Sequence, residues 1–245
     1  MDGRSATTGH SLQLTKRPDL GRILIVLHQE SSTPGRIGLI LKHRGYSLDI
    51  RRPALGDALP ETLSEHRAAI VFGGPMSVND DSEFIKRERD WLAVPLSQEK
   101  PFLGICLGAQ LLTTHLGGTV GEHPEGKVEI GYFPIKPTPV GEALMEWPSC
   151  VHQWHREWMM PPPGAEILAV GEGGEAQAFR AGRHAFAVQF HAELTLAMVH
   201  RWTVRGAARF DLKGAQERHH HFEGRMRHDR AVRHWLDRFL DLWLT

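Results

Sequence analysis

Two cysteines, two tyrosines and no surplus of either charge sign are the first features of this 245-residue chain. Cys106 and Cys150 are too few for a disulfide framework, so a reducing cytoplasm is the expected setting. Lys and Arg total 29 and Asp and Glu total 29, for a formal net charge of zero. No overall field therefore draws in nucleic acid or an anionic membrane, and neither is an expected partner. No apolar run approaches the roughly 18 residues that a transmembrane helix needs. The opening MDGRSATTGHSLQLTKRPDL has no continuous apolar stretch and does not read as a secretory signal. Residues 1–20 are expected to be a loose polar tail and 21–245 a single domain, since no repeat or long linker divides them.

What is present is an alternation. RILIVLH (Arg22 to His28) has the length and β-branching of a strand buried on both faces. SSTPGRIGLILKHRG reads as a helix starting at Pro34 and stopping at Gly45. YSLDIRR and AAIVFGG read as two more strands. DSEFIKRERDWLAVPLSQEK has a helical period with Asp81 or Ser82 as its cap. PFLGIC is a fourth apolar strand and runs directly into LGAQLLTTHLGG, a helix closed by Gly117 and Gly118. This order predicts an α/β fold: a doubly wound, mostly parallel sheet flanked by helices. After Gly118 the pattern changes. KVEIGYFPIKP reads as an exposed strand, and PSCVHQWHREWMMPPPGAEILAVG as short strands around a proline-rich loop. EAQAFRAGRHAFAVQFHAE reads as two strands meeting near Ala181 and Gly182. A small antiparallel edge and a helical C-terminal extension over 194–245 complete the expectation.

Chemistry concentrates in three segments. Gly104-x-Cys106-x-Gly108 has the form of a nucleophile elbow, with small residues where strand and helix must approach. The thiol would then sit at a helix N-terminus beyond a strand end, where doubly wound folds bind ligands. A buried structural thiol is the alternative. FAVQFHAE places His191 and Glu193 two apart in extended chain, on the same side, so the carboxylate can orient the imidazole. VFGGPMSVNDD has two glycines just after a buried strand, whose amides, with the N–H of Leu107, could stabilise an oxyanion. A capping turn there is the plainer reading.

Together, GGPMSVND, GICLGAQ and VQFHAE resemble the class I glutamine amidotransferases, in that family's order, over about Arg22 to Leu196. The likeness is greatest to stand-alone members related to the glutaminase domain of GMP synthase. The resemblance implies Cys106 as nucleophile, His191 as general base and acid, and Glu193 as its orienter. It implies oxyanion amides at Gly74 and Leu107, and substrate contacts from Gln110, Trp154 and His155. The implied activity releases ammonia from the glutamine side chain through a γ-glutamyl thioester, with no metal or organic cofactor. Two places depart from the family pattern: Arg156 and Glu157 replace a glycine and an aspartate in the pocket loop, and Ala192 replaces a proline. An Arg156 side chain directed into the pocket would favour another γ-glutamyl donor. The expected partners are glutamine or such a compound, and a separate synthetase chain that accepts ammonia.

Two further readings keep their place: a γ-glutamyl peptidase or hydrolase with the same triad, and a catalytically silent binding module. His219, His220, His221 and His228 are expected in a solvated loop rather than a metal site, since consecutive histidines point in different directions. Val232, Trp235, Leu236, Phe239, Leu240 and Trp243 share one face of a C-terminal helix. That face is expected to pack on its own domain, with a homodimer surface as the alternative. Cys150 is expected to be a buried bystander, and His152 to flank the cleft.

Overall fold

The structure, a computed structural model, describes residues 19–245; the tail expected over residues 1–20 lies outside them except for its last two residues. Strand β1 (Arg22–Val26) is followed by α1 (Gly35–Arg44), β2 (Ser47–Arg51), β3 (His66–Val71), α2 (Glu83–Trp91), α3 (Ala93–Ser97), β4 (Phe102–Ile105) and α4 (Leu107–His115). Then come β5 (Thr119–Glu122), β6 (Glu129–Pro134), β7 (Lys136–Pro137), α5 (Pro139–Leu144), β8 (Cys150–His155) and β9 (Glu157–Met160). The chain ends through β10 (Glu166–Val170), β11 (Ala176–Ala181), β12 (Ala185–Val188), α6 (Leu196–Arg205) and α7 (Arg218–Trp243).

Eight strands form the main sheet in the order β2-β1-β3-β4-β12-β11-β10-β7. The first five run parallel, and β11, β10 and β7 continue as an antiparallel edge. Two antiparallel ribbons, β5–β9 and β6–β8, stand apart from it. The doubly wound fold with an antiparallel edge and a helical C-terminal extension is therefore present.

The continuous apolar runs follow from burial on both faces. In β1, Ile23 and Ile25 pack with Ile37 and Leu41 of α1 and with the apolar face of α7. Leu24 and Val26 point the other way, against Ile85 of α2 and Leu107, Leu111 and Leu112 of α4. The α7 face read from the sequence is thus buried in its own core, and all six of its residues are at most 5% exposed. Among the described residues no helix is long and apolar enough to cross a membrane.

Three local expectations change. The helical stretch after Ser82 is two helices, α2 and α3, because Pro95 has no N–H for the carbonyl of Trp91. Strand β6 is mostly buried rather than exposed: α7 lies over it, with Gly224 of α7 against Tyr132. The histidine-rich stretch is not a loop. It forms the first turns of the 26-residue α7, where His221 is fully buried and hydrogen-bonds His152 (Nδ1···Nε2 3.0 Å). The polar composition of this half hid the helix, because its inward side packs through His221 and Gly224 rather than an apolar stripe.

Trp235 is 2% exposed and stacks on Phe239, with Phe190 edge-on to it (ring centroids 4.9 and 5.2 Å). Trp235→Ala is expected to lower unfolding stability in urea by about 3–5 kcal/mol, because α7 cannot collapse into the space.

Candidate active site

The carboxyl ends of four parallel strands meet at one place. His28 follows β1, Gly73 follows β3, Cys106 follows β4, and His191 follows β12. In open α/β sheets this is where ligands bind. A cavity of about 250 Å³ opens here, and its lining includes Gly73, Gly74, Pro75, Cys106, Trp154, His191 and Glu193.

Cys106 sits on the turn between β4 and α4 with φ 52° and ψ −106°. A side chain strains the backbone in that region. Its N–H donates to the Val188 carbonyl and its own carbonyl accepts from Gln110, both at 2.9 Å. The flanking glycines make the turn possible. A Cβ on Gly104 would lie 2.4 Å from the Gly108 carbonyl oxygen, and one on Gly108 would lie 2.1 Å from that of Val71. Cys106 is 6% exposed, at the floor of the cavity.

His191 and Glu193 lie in the turn after β12. The His191 imidazole lies beside the Cys106 side chain, the two meeting over Gly73, and its Nδ1 meets Glu193 Oε1 at 2.8 Å. Trp202 of α6 stands edge-on to the ring (centroids 4.8 Å). Burial alone would lower the His191 pKa, but the Glu193 charge and the hydrogen bonds to Cys106 and Glu193 push it up to about 10.

A second histidine–carboxylate pair lies behind the loop after β3. His28 Nε2 meets Glu88 Oε1 of α2 at 2.9 Å, with neither side chain exposed. The His28 Nδ1 meets the Gly73 carbonyl at 3.1 Å. Desolvation opposes protonation of His28, yet the Glu88 charge and these hydrogen bonds raise its pKa. The imidazolium can then donate at both nitrogens. In a trans peptide the N–H points opposite to the preceding carbonyl. With the Gly73 carbonyl turned to His28, the Gly74 N–H is directed away from it. Gly73 itself leaves room for the Cys106 and His191 side chains: a Cβ there would lie 3.0 Å from His191 Cε1 and 3.3 Å from Cys106 Cβ.

The remaining sequence-derived positions divide. Trp154 lines the cavity, whereas His155, its neighbour in β8, points to the other side. His155 Nε2 meets Glu129 Oε2 and its Nδ1 meets the Glu157 carbonyl, both at 3.0 Å. Gln110 is 3% exposed and donates to the Glu157 carbonyl at 3.1 Å instead of lining the cavity. Leu107 begins α4 directly after Cys106. Arg156 is exposed and does not line the cavity. Glu157 instead clamps the loop after β3, accepting from Ser77 Oγ at 2.7 Å and Asn79 Nδ2 at 3.2 Å. Cys150 is half-buried with its thiol pKa raised to about 11 by desolvation, and His152 is buried behind His191. Among the described residues no group of three or more His, Cys, Asp or Glu side chains could hold a metal ion.

The sequence reading missed His28, Glu88, Trp202 and three arginines of the cavity wall, Arg201, Arg205 and Arg209. The arginines did leave a signal. Arg201 and Arg205 lie four apart on one face of α6, whereas Arg209 lies beyond the end of that helix.

Fold and site define an α/β protein with a cysteine elbow facing a histidine–glutamate pair. The model of the class-I glutamine amidotransferases matches residues 36–206, and the chain belongs to that family. Among curated proteins it is 31% identical over 188 residues to the glutamine amidotransferase-like protein YfeJ of Salmonella typhimurium, covering 73% of this chain and 78% of that one. It is 36% identical over 141 residues to the GMP synthase of Aeropyrum pernix, which is 56% of this chain but 26% of the synthase. Solved structures of glutamine amidotransferases from Methylobacillus flagellatus and Thermotoga maritima superpose with TM-scores of 0.84 and 0.82, at 25% and 27% identity. Each match covers 92% of this chain, and 94% and 98% of the respective neighbours.

Glu193→Gln removes the charge that opposes desolvation of His191. Its imidazole titration, followed by NMR, is expected to fall from about 10 by more than about 2 units. The sign for stability follows. The folded pKa lies above the ordinary value of 6.5. The pair's contribution is therefore complete below about pH 6.5 and is lost as pH rises through about 10. The stability deficit of Glu193→Gln should accordingly be largest at pH 6 and shrink toward pH 10.

Proposed function

We propose that this protein hydrolyses the side-chain amide of glutamine or of a related γ-glutamyl compound through a Cys106–His191–Glu193 triad. The observation that carries the reading is the strained elbow: Cys106 at φ 52°, beside a His191 that is held by Glu193 at 2.8 Å, all lining one cavity. Cys106 Sγ attacks the γ-carbonyl carbon after giving its proton to His191. The carbonyl oxygen gains negative charge as the tetrahedral centre forms. The Gly74 and Leu107 amides are its proposed donors, and the turn of the Gly73 carbonyl toward His28 supports the first of them. The C–N bond breaks, and the leaving amine takes the proton from His191. Water, deprotonated by His191, then cleaves the thioester to give glutamate and the free thiol. Glu193 keeps the imidazole oriented throughout.

In this reading residues 21–245 act as one domain, in a cytoplasm that keeps Cys106 reduced. Ammonia passes to a synthetase on a separate chain or is released. The relatives named as GMP synthases support a glutamine donor. The arginines of the cavity wall favour a second reading, a γ-glutamyl hydrolase with a larger donor.

The test is covalent trapping by a γ-diazoketone analogue of glutamine, with mass-spectrometric mapping and a parallel ammonia assay. Label on Cys106, blocked by glutamine or a γ-glutamyl dipeptide, is the expected result. Cys106→Ser should lose both label and at least about 10³-fold in kcat/KM. Folded, reduced protein that takes no label at Cys106 would sink the reading.

The role given to His28 has its own check. Removing one partner would strand a buried charge, so the double substitution His28→Leu, Glu88→Leu is the useful one. It is expected to fold, to lower kcat by about 10–100-fold, and to change KM little, because a freed Gly73 carbonyl no longer fixes the Gly74 amide. An unchanged kcat would remove His28 from the mechanism.

A further inference from the structure

The cavity wall opposite the β3 loop is unusually cationic. It is built from α6 and the short 3₁₀ turn that follows, Ala207–Arg209. Arg201, Arg205 and Arg209 all face the cavity from this segment. Arg201 and Arg205 are one turn apart on α6, and Arg209 lies in the 3₁₀ turn beyond it. None of the three forms an ion pair among the described residues, whereas Arg36 and Arg44, elsewhere on the molecule, each meet a carboxylate. Arg205 donates to a neutral group, Ser31 Oγ, at 2.8 Å. Arg209 is half-buried, and its pKa is lowered by burial and then by the charge of Arg156, against the opposing pull of Cys106. The one carboxylate lining the same cavity, Glu193, is 2% exposed and bound to His191. Guanidinium groups thus gather around the Cys106 cavity, and among the described residues no carboxylate pairs with them.

A ligand can supply it. The α-carboxylate of a glutamyl group accounts for one guanidinium in bidentate contact. Three in the wall, with Arg156 close enough to be felt at Arg209, exceed what a single carboxylate needs. Glutamine brings no second carboxylate, and its leaving group is only ammonia. A γ-glutamyl amino acid or peptide brings a free carboxylate on the leaving side of the scissile bond. The indoles of Trp154 of β8 and Trp202 of α6, which line the same cavity, offer apolar surface to the rest of that leaving residue.

We infer that the cavity selects γ-glutamyl amino acids or peptides with a free carboxylate on the leaving side, and that Arg205 and Arg209 are the residues that read it. The inference rests on the acyl-transfer reading of Cys106 and specifies its donor. The overall reaction consumes one water: the γ-glutamyl C–N bond breaks, the amino acid leaves with a proton from His191, and thioester hydrolysis yields glutamate.

The experiment compares kcat/KM of the full-length protein for γ-glutamylglycine, γ-glutamylglycinamide and glutamine. The free acid is expected to exceed the amide by about 10–100-fold, the worth of a charge-assisted hydrogen bond, and to exceed glutamine as well. Arg209→Met should collapse the acid-to-amide ratio toward unity, and Arg209→Lys should restore part of it. A second readout needs no turnover: iodoacetate should alkylate Cys106 faster relative to iodoacetamide in the wild type than in Arg209→Met or Arg205→Met. Equal rates on acid and amide, with a ratio indifferent to Arg209, would overturn the inference while leaving the glutaminase reading standing. Protection of Cys106 by inorganic phosphate but not by γ-glutamylglycine would likewise overturn it, assigning the arginines to a phosphate group. No hydrolysis of any of the three, in protein whose Cys106 is readily alkylated, would remove the acyl-transfer reading as well.

Discussion

The close approach of β4, α4 and β3 around Cys106 is the constraint on which the rest of the site depends. A non-glycine residue at φ 52° costs on the order of 1–3 kcal/mol, and it persists only where its surroundings leave the chain no alternative. Here they leave none. The N–H and carbonyl of Cys106 are both engaged, and the backbones at Gly104 and Gly108 sit where no side chain would fit. Strand β4 is held between β3 and β12, with helices on both faces of the sheet. A well-packed interior of this kind can hold strain at one residue because it has many weaker contacts to spread it over.

Around that point the fold arranges charge at three depths. His191 and Glu193 are nearly fully buried against the thiol, so their interaction is little screened. His28 and Glu88 form a second buried pair one layer back, and its anchor is the Gly73 carbonyl. The arginines of the α6 wall lie nearest the solvent, where a diffusing anion would meet them first. Like-signed groups crowd this last layer while opposite charges pair in the first two.

The departures from the family pattern take a different meaning once they are located. Arg156, in the loop where the family has glycine, turns out to solvent. Glu157 ties β9 to the loop after β3 through Ser77 and Asn79. Glu157 therefore braces the loop after β3, and neither residue lines the pocket. The pocket's distinctive character comes from α6 instead.

The amino-acid order by itself determined the doubly wound sheet, the elbow at Cys106 and the His191–Glu193 pair. Each depends on local relations: continuous apolar runs for strands buried on both faces, small residues two either side of a turn, and side chains two apart in extended chain. It also determined the inward face of α7, a periodic stripe of large apolar groups. Only tertiary structure decided the rest. His28 and Glu88 are sixty residues apart, and their meeting depends on α2 packing across the end of β1. The histidines of α7 look solvated in sequence, and His221 becomes buried only because α7 lies over the β6–β8 ribbon. Arg201 and Arg205 share a face of α6, but nothing local says that this face, or Arg209 beyond it, lines the cavity of Cys106. That depends on how α6 packs after the turn at His191. Periodicity fixes which residues share a face, and long-range packing fixes what that face sees.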